Sequence, residues 1–263
     1  MARYCPLFSG SSGNCTYIGG GDGGILIDAG VSAKRIQTAL TERGIDPALI
    51  RAVFVTHEHR DHVCGLRVLV KRYGYPVYAT AGTLAGIMEG GFLEPDVCCH
   101  PLEQAGYEAG SLFVEWFPTP HDSRQSCGYR VHTADDRVAA VATDIGRMTD
   151  TVRMALHGCD LVQLESNHDL QMLRTGAYPY FLKRRILADT GHLSNDACAA
   201  ELTALAAGGT TRFILAHLSR ENNLPDLAYH TAENALTAGG LRAGYDYRLS
   251  VAAPADTAGV VVF

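Results

Sequence analysis

Residues 56–62, Thr-His-Glu-His-Arg-Asp-His, constrain this chain more than any other stretch, because three histidines and an aspartate fall within six positions. They follow directly on the apolar run Ala-Val-Phe-Val of residues 52–55, which is typical of a buried β-strand. Neutral imidazoles and a carboxylate are ligands for zinc and neighbouring divalent metals. Four such ligands in one short loop cannot all face a single tetrahedral ion without strain, so the loop predicts a site for two ions.

Further histidines and aspartates follow other predicted strands. Apolar runs predict strands over residues 24–28, 112–117, 138–143 and 212–215. The carboxyl ends of neighbouring parallel strands meet at one edge of a sheet. We therefore expect the polar residues at these strand ends to converge with the histidine loop. They are Asp28, His121, Asp144 and His217.

Two acidic residues are expected to orient ligands rather than to react. Asp28 follows a buried run and therefore needs a polar partner. It either caps the helix that begins near Ser32 or orients the histidine loop. Glu165 ends a further predicted strand, over residues 161–164, and opens the stretch Glu-Ser-Asn-His-Asp. We expect Glu165 to orient a ligand as well.

Two loops have the composition of anion-binding segments. Residues 9–14, Ser-Gly-Ser-Ser-Gly-Asn, combine backbone freedom at glycine with hydroxyl and amide groups, although many such loops are plain hairpin connections. Residues 191–195, Gly-His-Leu-Ser-Asn, lead into a helix that runs to about Ala207 with Ser194 or Asn195 as its N-cap, and a helix N-terminus favours phosphate. His192 either contacts a bound phosphate or protonates a leaving oxygen there, or it caps its own helix. The residues expected to bind substrate are Ser11, Ser12, Asn14, Asn167, His168 and His192.

The order of elements predicts two β-sheets covered by helices in a single domain over residues 1–263. Strands come first, and strands then alternate with helices. Further strands are predicted over residues 4–8, 16–19, 77–79, 127–133, 248–252 and 260–263. The predicted helices span residues 32–43, 66–73, 83–89, 182–188, 195–207 and 225–238. We find no internal repeat and no low-complexity segment.

Composition excludes some classes of protein without naming a substrate. The chain is 47% hydrophobic and 19% charged, which is ordinary for a globular protein. No apolar run reaches the roughly 18 residues of a membrane span, and the first residues do not open a signal peptide. Eight scattered cysteines without a C-x-x-C pair favour reduced thiols in a cytoplasm.

The net charge of −6 gives no sign of a nucleic-acid partner. The chain has one basic cluster, residues 183–185 with Arg174, and a solvated helix face explains it equally well.

These motifs resemble those of the metallo-β-lactamase superfamily. That family carries an early Asp, H-x-H-x-D-H, a His, an Asp and a last His in this order, matched here by Asp28, residues 57–62, His121, Asp144 and His217. The resemblance implies an α/β (α+β) fold, an αββα sandwich of two mixed β-sheets flanked by helices. Residues 9–14, 165–169, 191–195 and 216–223 are most similar to the YycJ/WalJ type of small bacterial hydrolases, which look like nucleases.

The resemblance also implies a set of metal ligands. In the family pattern His57, His59 and His121 hold one divalent ion. Asp61, His62 and His217 hold a second, and Asp144 bridges both. Zinc is expected first, with manganese or iron as alternatives. Two such ions acidify a shared water, so a bridging hydroxide is the expected nucleophile. The residues expected to take part in catalysis are Asp61, Asp144 and His192.

The function expected from this resemblance is a metal-dependent phosphodiesterase or nuclease, a 5′-to-3′ exonuclease acting on DNA or RNA. Its larger relatives insert a cap domain between the motif Asp and the last His. Here Asp144 and His217 are only 73 positions apart, so a homodimer or a loop must supply grip on a polymer. The alternatives are a thioester or lactone hydrolase of the glyoxalase-II kind and a scaffold without catalysis. β-Lactam hydrolysis is disfavoured because His62 is present and no cysteine lies near His217.

Overall fold

The computed structural model describes residues 2–252 and 259–263, which form two compact units. The first comprises residues 2–116, 123–137 and 259–263, and the second comprises residues 117–122 and 138–252. The single domain expected over residues 1–263 stays a prediction, and Met1 and residues 253–258 lie outside the described part.

The strands and helices follow one another as the sequence order predicts. The strands are β1 Arg3–Phe8, β2 Cys15–Gly20, β3 Gly23–Ile27, β4 Ile50–Phe54, β5 Val77–Ala79, β6 Cys99–Pro101, β7 Tyr107–Ala109, β8 Leu112–Pro118, β9 Cys127–His132, β10 Val138–Ala142, β11 Leu161–Glu165, β12 Arg212–Ala216, β13 Arg248–Val251 and β14 Val261–Val262. The helices are α1 Ala33–Glu42, α2 Arg60–Val63, α3 Leu66–Tyr73, α4 Ala81–Glu89, α5 Asp150–Leu156, α6 Leu170–Thr175, α7 Tyr180–Ile186, α8 Asn195–Ala207 and α9 Pro225–Ala238, with a 3₁₀ turn over Pro47–Leu49.

A mixed sheet of order β14-β1-β2-β3-β4-β5-β6 organises the first unit. Pairing is antiparallel from β14 to β3 and parallel from β3 to β6. All five residues of β3 are buried, as expected for a parallel strand covered on both faces. Because β3 and β4 run in parallel, Asp28 and the loop after Phe54 leave the sheet at the same edge.

Helices α1 and α3 cover this sheet. The sequence indicates where α1 begins and where α3 ends. Ser32 caps α1 by accepting a hydrogen bond from the amide of Arg35. Gly74 ends α3 in the left-handed conformation, at φ 72°. Ile36 and Leu69 are fully buried and belong to the same apolar cluster as Leu26 and Val53 of the sheet. Their burial stabilises the strand ends that carry the histidine loop.

Four parallel strands in the order β13-β12-β11-β10 organise the second unit. Their buried side chains pack against α5, α8 and α9, with Leu202, Leu215 and Leu236 fully buried in one apolar cluster. The carboxyl ends of β10, β11 and β12 lead to Asp144, Glu165 and His217. Ser194 caps α8 by accepting from the amide of Ala197, which leaves His192 outside the cap.

The predicted elements are confirmed, and the ones that the sequence did not predict are short. Unpredicted are α2, α5 and α6, which have four to seven residues, and the three-residue strands β6 and β7. Segments of this length carry less than two full turns or too few alternations to give a periodic signal. No helix among the described residues is long and apolar enough to span a bilayer.

Candidate metal centre

The histidine loop gathers three imidazole rings immediately after β4. The ring centroids of His57 and His59 are 4.5 Å apart, and those of His57 and His62 are 4.1 Å apart. His57 and His62 are buried, whereas His59 and Asp61 are partly exposed. The carboxylate of Asp61 comes within 3.7 Å of His62 Nε2. A short helix, α2, begins directly after His59 and holds this arrangement.

Asp28 is bound to the histidine loop rather than to α1. Its Oδ2 lies 2.7 Å from Nδ1 of His62, and its Oδ1 accepts from the backbone amide of Thr56 at 2.8 Å. Since Ser32 caps α1, the structure favours the second of the two alternatives for this aspartate. A carboxylate at Nδ1 fixes the tautomer of a neutral imidazole, so Nε2 carries the lone pair that a metal requires.

Thr56 is a residue of this site that sequence reasoning missed. Its hydroxyl donates to Asp28 Oδ2 at 2.9 Å and lies 3.0 Å from Nδ1 of His57 and 3.2 Å from Nδ1 of His62. In the sequence, the feature that could have indicated this role is the position of Thr56 between a buried strand and the first histidine of the loop. Thr56 therefore ties the orientation of two rings to one carboxylate.

The glycine-rich loop of residues 9–14 braces the histidine loop through Asn14. The amide of this buried asparagine accepts from Gly10 N at 2.8 Å and donates to Gly10 O at 3.2 Å and Asp61 O at 3.3 Å. Its Nδ2 also lies 3.1 Å from His62 Nε2. Ser11 and Ser12 are exposed at the tip of the loop. The predicted contact of all three residues with substrate stays a prediction.

In the second unit, four side chains converge at the carboxyl ends of the parallel strands. Asp144, Glu165, His192 and His217 each offer one ligand atom, and these atoms all lie within 4.8 Å of one another. Asp144 Oδ1 is 3.4 Å from Nδ1 of His217 and 3.7 Å from Nδ1 of His192. Such a group of imidazoles and carboxylates has the chemistry of a divalent-metal site.

Glu165 is fully buried and accepts hydrogen bonds from two other members of this cluster. Its Oε1 lies 2.8 Å from Nδ1 of both His192 and His217. Its Oε2 accepts from the backbone amides of Ile145 at 2.8 Å and Leu193 at 3.1 Å. One carboxylate thus orients two imidazole rings and joins the segment that follows β10 to the segment that precedes α8.

The electrostatics of this cluster favour an ionised glutamate beside a protonated His192. Burial alone would raise the pKa of Glu165, but the charges and hydrogen bonds of His192 and His217 outweigh it and hold that pKa well below its usual range. Burial alone would likewise lower the pKa of His192, but the Glu165 carboxylate raises it above the ordinary value. His192 is therefore suited to donate a proton from Nε2.

His121 joins the same cluster from the segment after β8. Its side chain is 1% exposed, and its Nδ1 lies 3.2 Å from the carbonyl oxygen of Gly191. A carbonyl accepts, so Nδ1 carries the proton and Nε2 the lone pair. Nε2 is 3.7 Å from Asp144 Oδ1, and the ring centroid is 5.2 Å from that of His192.

Backbone strain marks three of the predicted site residues. Asp28, Asp144 and His217 have φ of 63°, 58° and 57°, in the left-handed region that residues other than glycine rarely adopt. Each lies one or two positions beyond a buried strand. Strained residues of this kind persist where the surrounding structure fixes them, and they cluster at functional sites.

A polar network behind the second cluster was also missed by sequence reasoning. Asn223 Nδ2 donates to the carbonyls of Ser166 at 2.9 Å and Asn167 at 3.1 Å, and it lies 2.8 Å from Asn195 Oδ1. Asn167 Nδ2 donates to the carbonyl of His217 at 2.8 Å. His168 is 1% exposed, and burial lowers the pKa of its ring to about 4. Asn167 and His168 are therefore buried, and Asn167 is joined to the backbone of His217. Their predicted contact with substrate stays a prediction.

The donor atoms fit divalent metal ions. In His62, His121 and His217, Nδ1 faces a carboxylate or carbonyl oxygen, which leaves Nε2 as the basic nitrogen. Imidazoles held in this way, together with carboxylates, are the ligands expected of zinc, manganese and iron sites.

Comparisons with known proteins identify the family. Residues 24–218 match the family described as the Beta-lactamase superfamily domain. The chain therefore belongs to the β-lactamase superfamily, a class of proteins that the fold and this donor set also define. It is 35% identical over 259 residues, 97% of this chain and 96% of the relative, to the exodeoxyribonuclease WalJ of Streptococcus pneumoniae. It is 33% identical over 254 residues, 94% of each chain, to the exodeoxyribonuclease YycJ of Bacillus anthracis.

A solved structure supports the same fold. The metallo-β-lactamase fold protein YhfI from Bacillus subtilis superimposes with a TM-score of 0.70 at 15% identity, covering 96% of each chain. The expected fold, two mixed β-sheets flanked by helices, is confirmed. The expected class of enzyme, a metal-dependent hydrolase of the nuclease type, is confirmed as well, and the alternative of a thioester or lactone hydrolase is not favoured.

Proposed function

We propose that this protein is a 5′-to-3′ exonuclease that uses two divalent metal ions to hydrolyse DNA. The observation that carries the proposal is the convergence of Asp144, Glu165, His192 and His217 in a chain similar over nearly its whole length to two exodeoxyribonucleases. The sequence alone allows RNA as readily as DNA. The names of these relatives favour DNA.

The ligand assignment follows the motif order of the family. His57, His59 and His121 would hold one ion, Asp61, His62 and His217 the other, and Asp144 both. Zinc suits this set, and manganese or iron are the alternatives. The ions, when bound, would supply an acidified water and stabilise the attacking and leaving oxygens of a phosphodiester.

Residues of the chain itself would orient the metal-binding histidines and donate a proton to the leaving oxygen. Asp28 and Glu165 hold the Nδ1 sides of His62 and His217, so that both rings keep the tautomer with a basic Nε2. His192 is the general acid of the proposal, because Glu165 stabilises its protonated form and its side chain is 18% exposed. From Nε2 it would protonate the leaving 3′ oxygen.

Other parts of the proposal concern the surroundings of the site. Ser11, Ser12, Asn14, Asn167 and His168 stay predictions for the path of the phosphates. We propose a cytoplasmic location, which agrees with the absence of a disulfide among the described cysteines. Formation of a homodimer stays a prediction.

A substrate panel tests the function. The purified protein, with manganese or zinc, is incubated with 5′-phosphorylated single-stranded DNA, with the matching RNA and with a model thioester. We expect mononucleotides from the DNA, their loss on chelation, and at least a 100-fold lower rate for His192→Gln, since general acid catalysis contributes about 10²–10⁴-fold. Turnover of the thioester without any nucleotide release would overturn the proposal.

A further inference from the structure

Helix α7 presents two aromatic side chains to solvent. Tyr180 is 76% exposed and Phe181 is 73% exposed, at the first two positions of the helix. Arg184 lies one turn further on, with its guanidinium carbon 6.0 Å from the ring centroid of Tyr180. We define the aromatic-basic face as Arg174, Tyr180, Phe181 and Arg184. Large exposed aromatic surface of this kind marks an interaction site.

The charge around this face is opposite to that of the whole chain. Residues 170–188 contain four basic residues and no acidic one, whereas the chain carries a net charge of −6. Two of the four are engaged, because Lys183 Nζ donates to the carbonyls of Arg174 at 2.8 Å and Gly176 at 2.7 Å, and Arg185 pairs with Asp122. Within the described residues, Arg174 and Arg184 form no ion pair with a carboxylate. A polyanion is therefore the complementary partner.

The face is connected directly to the metal cluster of the second unit. The amide of His192 donates to the carbonyl of Ile186, the last residue of α7, at 3.0 Å. Arg185 holds Asp122, the neighbour of His121. At 1.5 Å rise per residue, Tyr180 lies about 9 Å along the helix from Ile186. Stacked nucleotides advance about 3.4 Å each along a strand, so a strand that runs along α7 covers this length of helix with about two or three nucleotides.

We propose that the aromatic-basic face binds the single strand of nucleic acid that extends from the nucleotide at the metal cluster. Two bases stack on Tyr180 and Phe181, and Arg174 and Arg184 contact the phosphates of the same stretch of strand. Aromatic rings beside unpaired cations are the means by which proteins bind single strands without reading their sequence. The inference rests on the proposed nuclease function. It gives the chain a binding surface for a nucleic-acid strand in place of the cap domain of the larger relatives.

Binding of a cleavage-resistant strand tests the face directly. The metal-loaded protein is titrated against a fluorescein-labelled phosphorothioate oligo-dT, and binding is followed by fluorescence anisotropy. The double variant Y180A/F181A is expected to bind roughly 5- to 150-fold more weakly for each stacked base. Arg184→Gln is expected to lower the slope of log affinity against log salt by about 0.7, the value for one phosphate contact on a single strand.

Tyr245 provides a matched control. It is 83% exposed, and Arg242 lies over its ring at 4.6 Å, so it carries the same contact between an aromatic ring and a guanidinium as Tyr180 and Arg184. Arg242 differs from Arg184 in that it also pairs with Asp246. It precedes β13, whose first residue, Arg248, pairs with the first residue of β12, at the opposite end of that strand from His217. Tyr245→Ala is expected to bind the strand as wild type does. Equal binding by Y180A/F181A and wild type would overturn the inference.

A small substrate separates this inference from the proposed function. Hydrolysis of bis(p-nitrophenyl) phosphate needs the metal ligands but involves no nucleic-acid strand that could lie on Tyr180 and Phe181. Y180A/F181A is therefore expected to keep the wild-type rate on this substrate while its KM for the oligonucleotide rises. A wild-type protein that cleaves neither substrate would contradict the function itself. If sedimentation shows that Y180A/F181A dissociates a dimer while strand binding is unchanged, the face is an interface between two copies and the inference is wrong.

Discussion

At the scale of single residues, the site depends on carboxylates that each hold more than one partner. Glu165 accepts from two imidazoles and two backbone amides, and Asp28 accepts from His62, from the amide of Thr56 and from its hydroxyl. Both acids are buried, so their charges are compensated by hydrogen bonds rather than by water. Removing such a carboxylate would release several ring orientations at once.

Replacing the shared glutamate is expected to weaken metal binding. In Glu165→Gln the neutral amide cannot accept from both rings as a carboxylate does, so His217 loses its fixed tautomer. Loss of such a partner costs about 10- to 100-fold in metal affinity. Competition with a chromophoric zinc chelator measures it. Glu233→Gln, which changes a glutamate that pairs with the exposed His230, serves as control and is expected to change nothing. Unchanged zinc affinity in Glu165→Gln would contradict the role.

Acid is expected to destabilise the protein through His168. Burial lowers the pKa of this ring to about 4, below its ordinary value of 6.5. The unfolded chain therefore takes up the proton first as the pH falls, and the stability present above pH 6.5 is lost between pH 6.5 and pH 4. The contribution amounts to about 2 kcal/mol between pH 7 and pH 5.

Urea unfolding with a chelator present, at both pH values, measures this contribution. His168→Gln is expected to lose about 2 kcal/mol less stability than wild type between pH 7 and pH 5. His230→Gln, at an exposed histidine, is expected to behave as wild type does. Identical pH dependence in wild type and His168→Gln would show that the ring is not held neutral.

Individual site residues differed in how far the sequence predicted them. Asp28, Asp144 and His217 were predicted as site residues because each follows a strand, and the structure places each one or two positions beyond a strand. Their convergence on one site stays a prediction. Thr56 and the two-ring role of Glu165 were not predicted, because they depend on distances between positions that the chain separates by up to 52 residues. Only tertiary packing sets such distances.

At the scale of elements, close backbone approaches join the loops that carry the site. Gly30, just beyond β3, donates to the carbonyl of Asn14 at 2.7 Å, and the amide of Asn14 donates to the carbonyl of Asp61 at 2.8 Å. A Cβ at Gly30 would lie 1.7 Å from Asp61 O and 2.5 Å from Asn14 N. The segment after β3 therefore passes directly between the glycine-rich loop and the histidine loop.

Adding one methyl group at this crossing is expected to disrupt it. Gly30→Ala forces both loops apart, and we expect a loss of about 1–3 kcal/mol or more in the free energy of unfolding, as for other overpacked sites. Urea denaturation measures it. Gly21→Ala is the matched control, since a Cβ there meets no atom within 4 Å and the residue is exposed. Equal stability of the two variants would contradict the packing described.

Elements were predicted from the sequence where periodicity or capping signals are strong. Residues 225–238 and 66–73 form helices with the predicted bounds, because an apolar stripe and a terminal Pro or Gly define them. Helix α7 was expected over residues 182–188 and begins two residues earlier, directly after Pro179. Helix α6 was not predicted, although Asp169 caps it by accepting from the amide of Met172. Its six residues form less than two turns.

At the scale of the whole molecule, metal binding is expected to stabilise the fold. The proposed ligands come from strand ends that are distant in the sequence, and the unfolded chain cannot present them together. At a free ion concentration 100 times the dissociation constant, each bound ion adds about 2.7 kcal/mol to the free energy of unfolding. Thermal unfolding with and without a chelator is expected to show a rise of several degrees in Tm with zinc. Magnesium at the same concentration serves as the comparison ion, and an unchanged Tm with zinc would contradict this.

The number of metal ions bound by each chain tests the central claim most directly. The purified protein is dialysed against zinc or manganese and then metal-free buffer, and its metal content is measured by inductively coupled plasma mass spectrometry. We expect two ions per chain for wild type and fewer for the His217→Ala variant. A wild-type content below one ion per chain would contradict a two-metal enzyme and favour a scaffold that keeps the fold without catalysis.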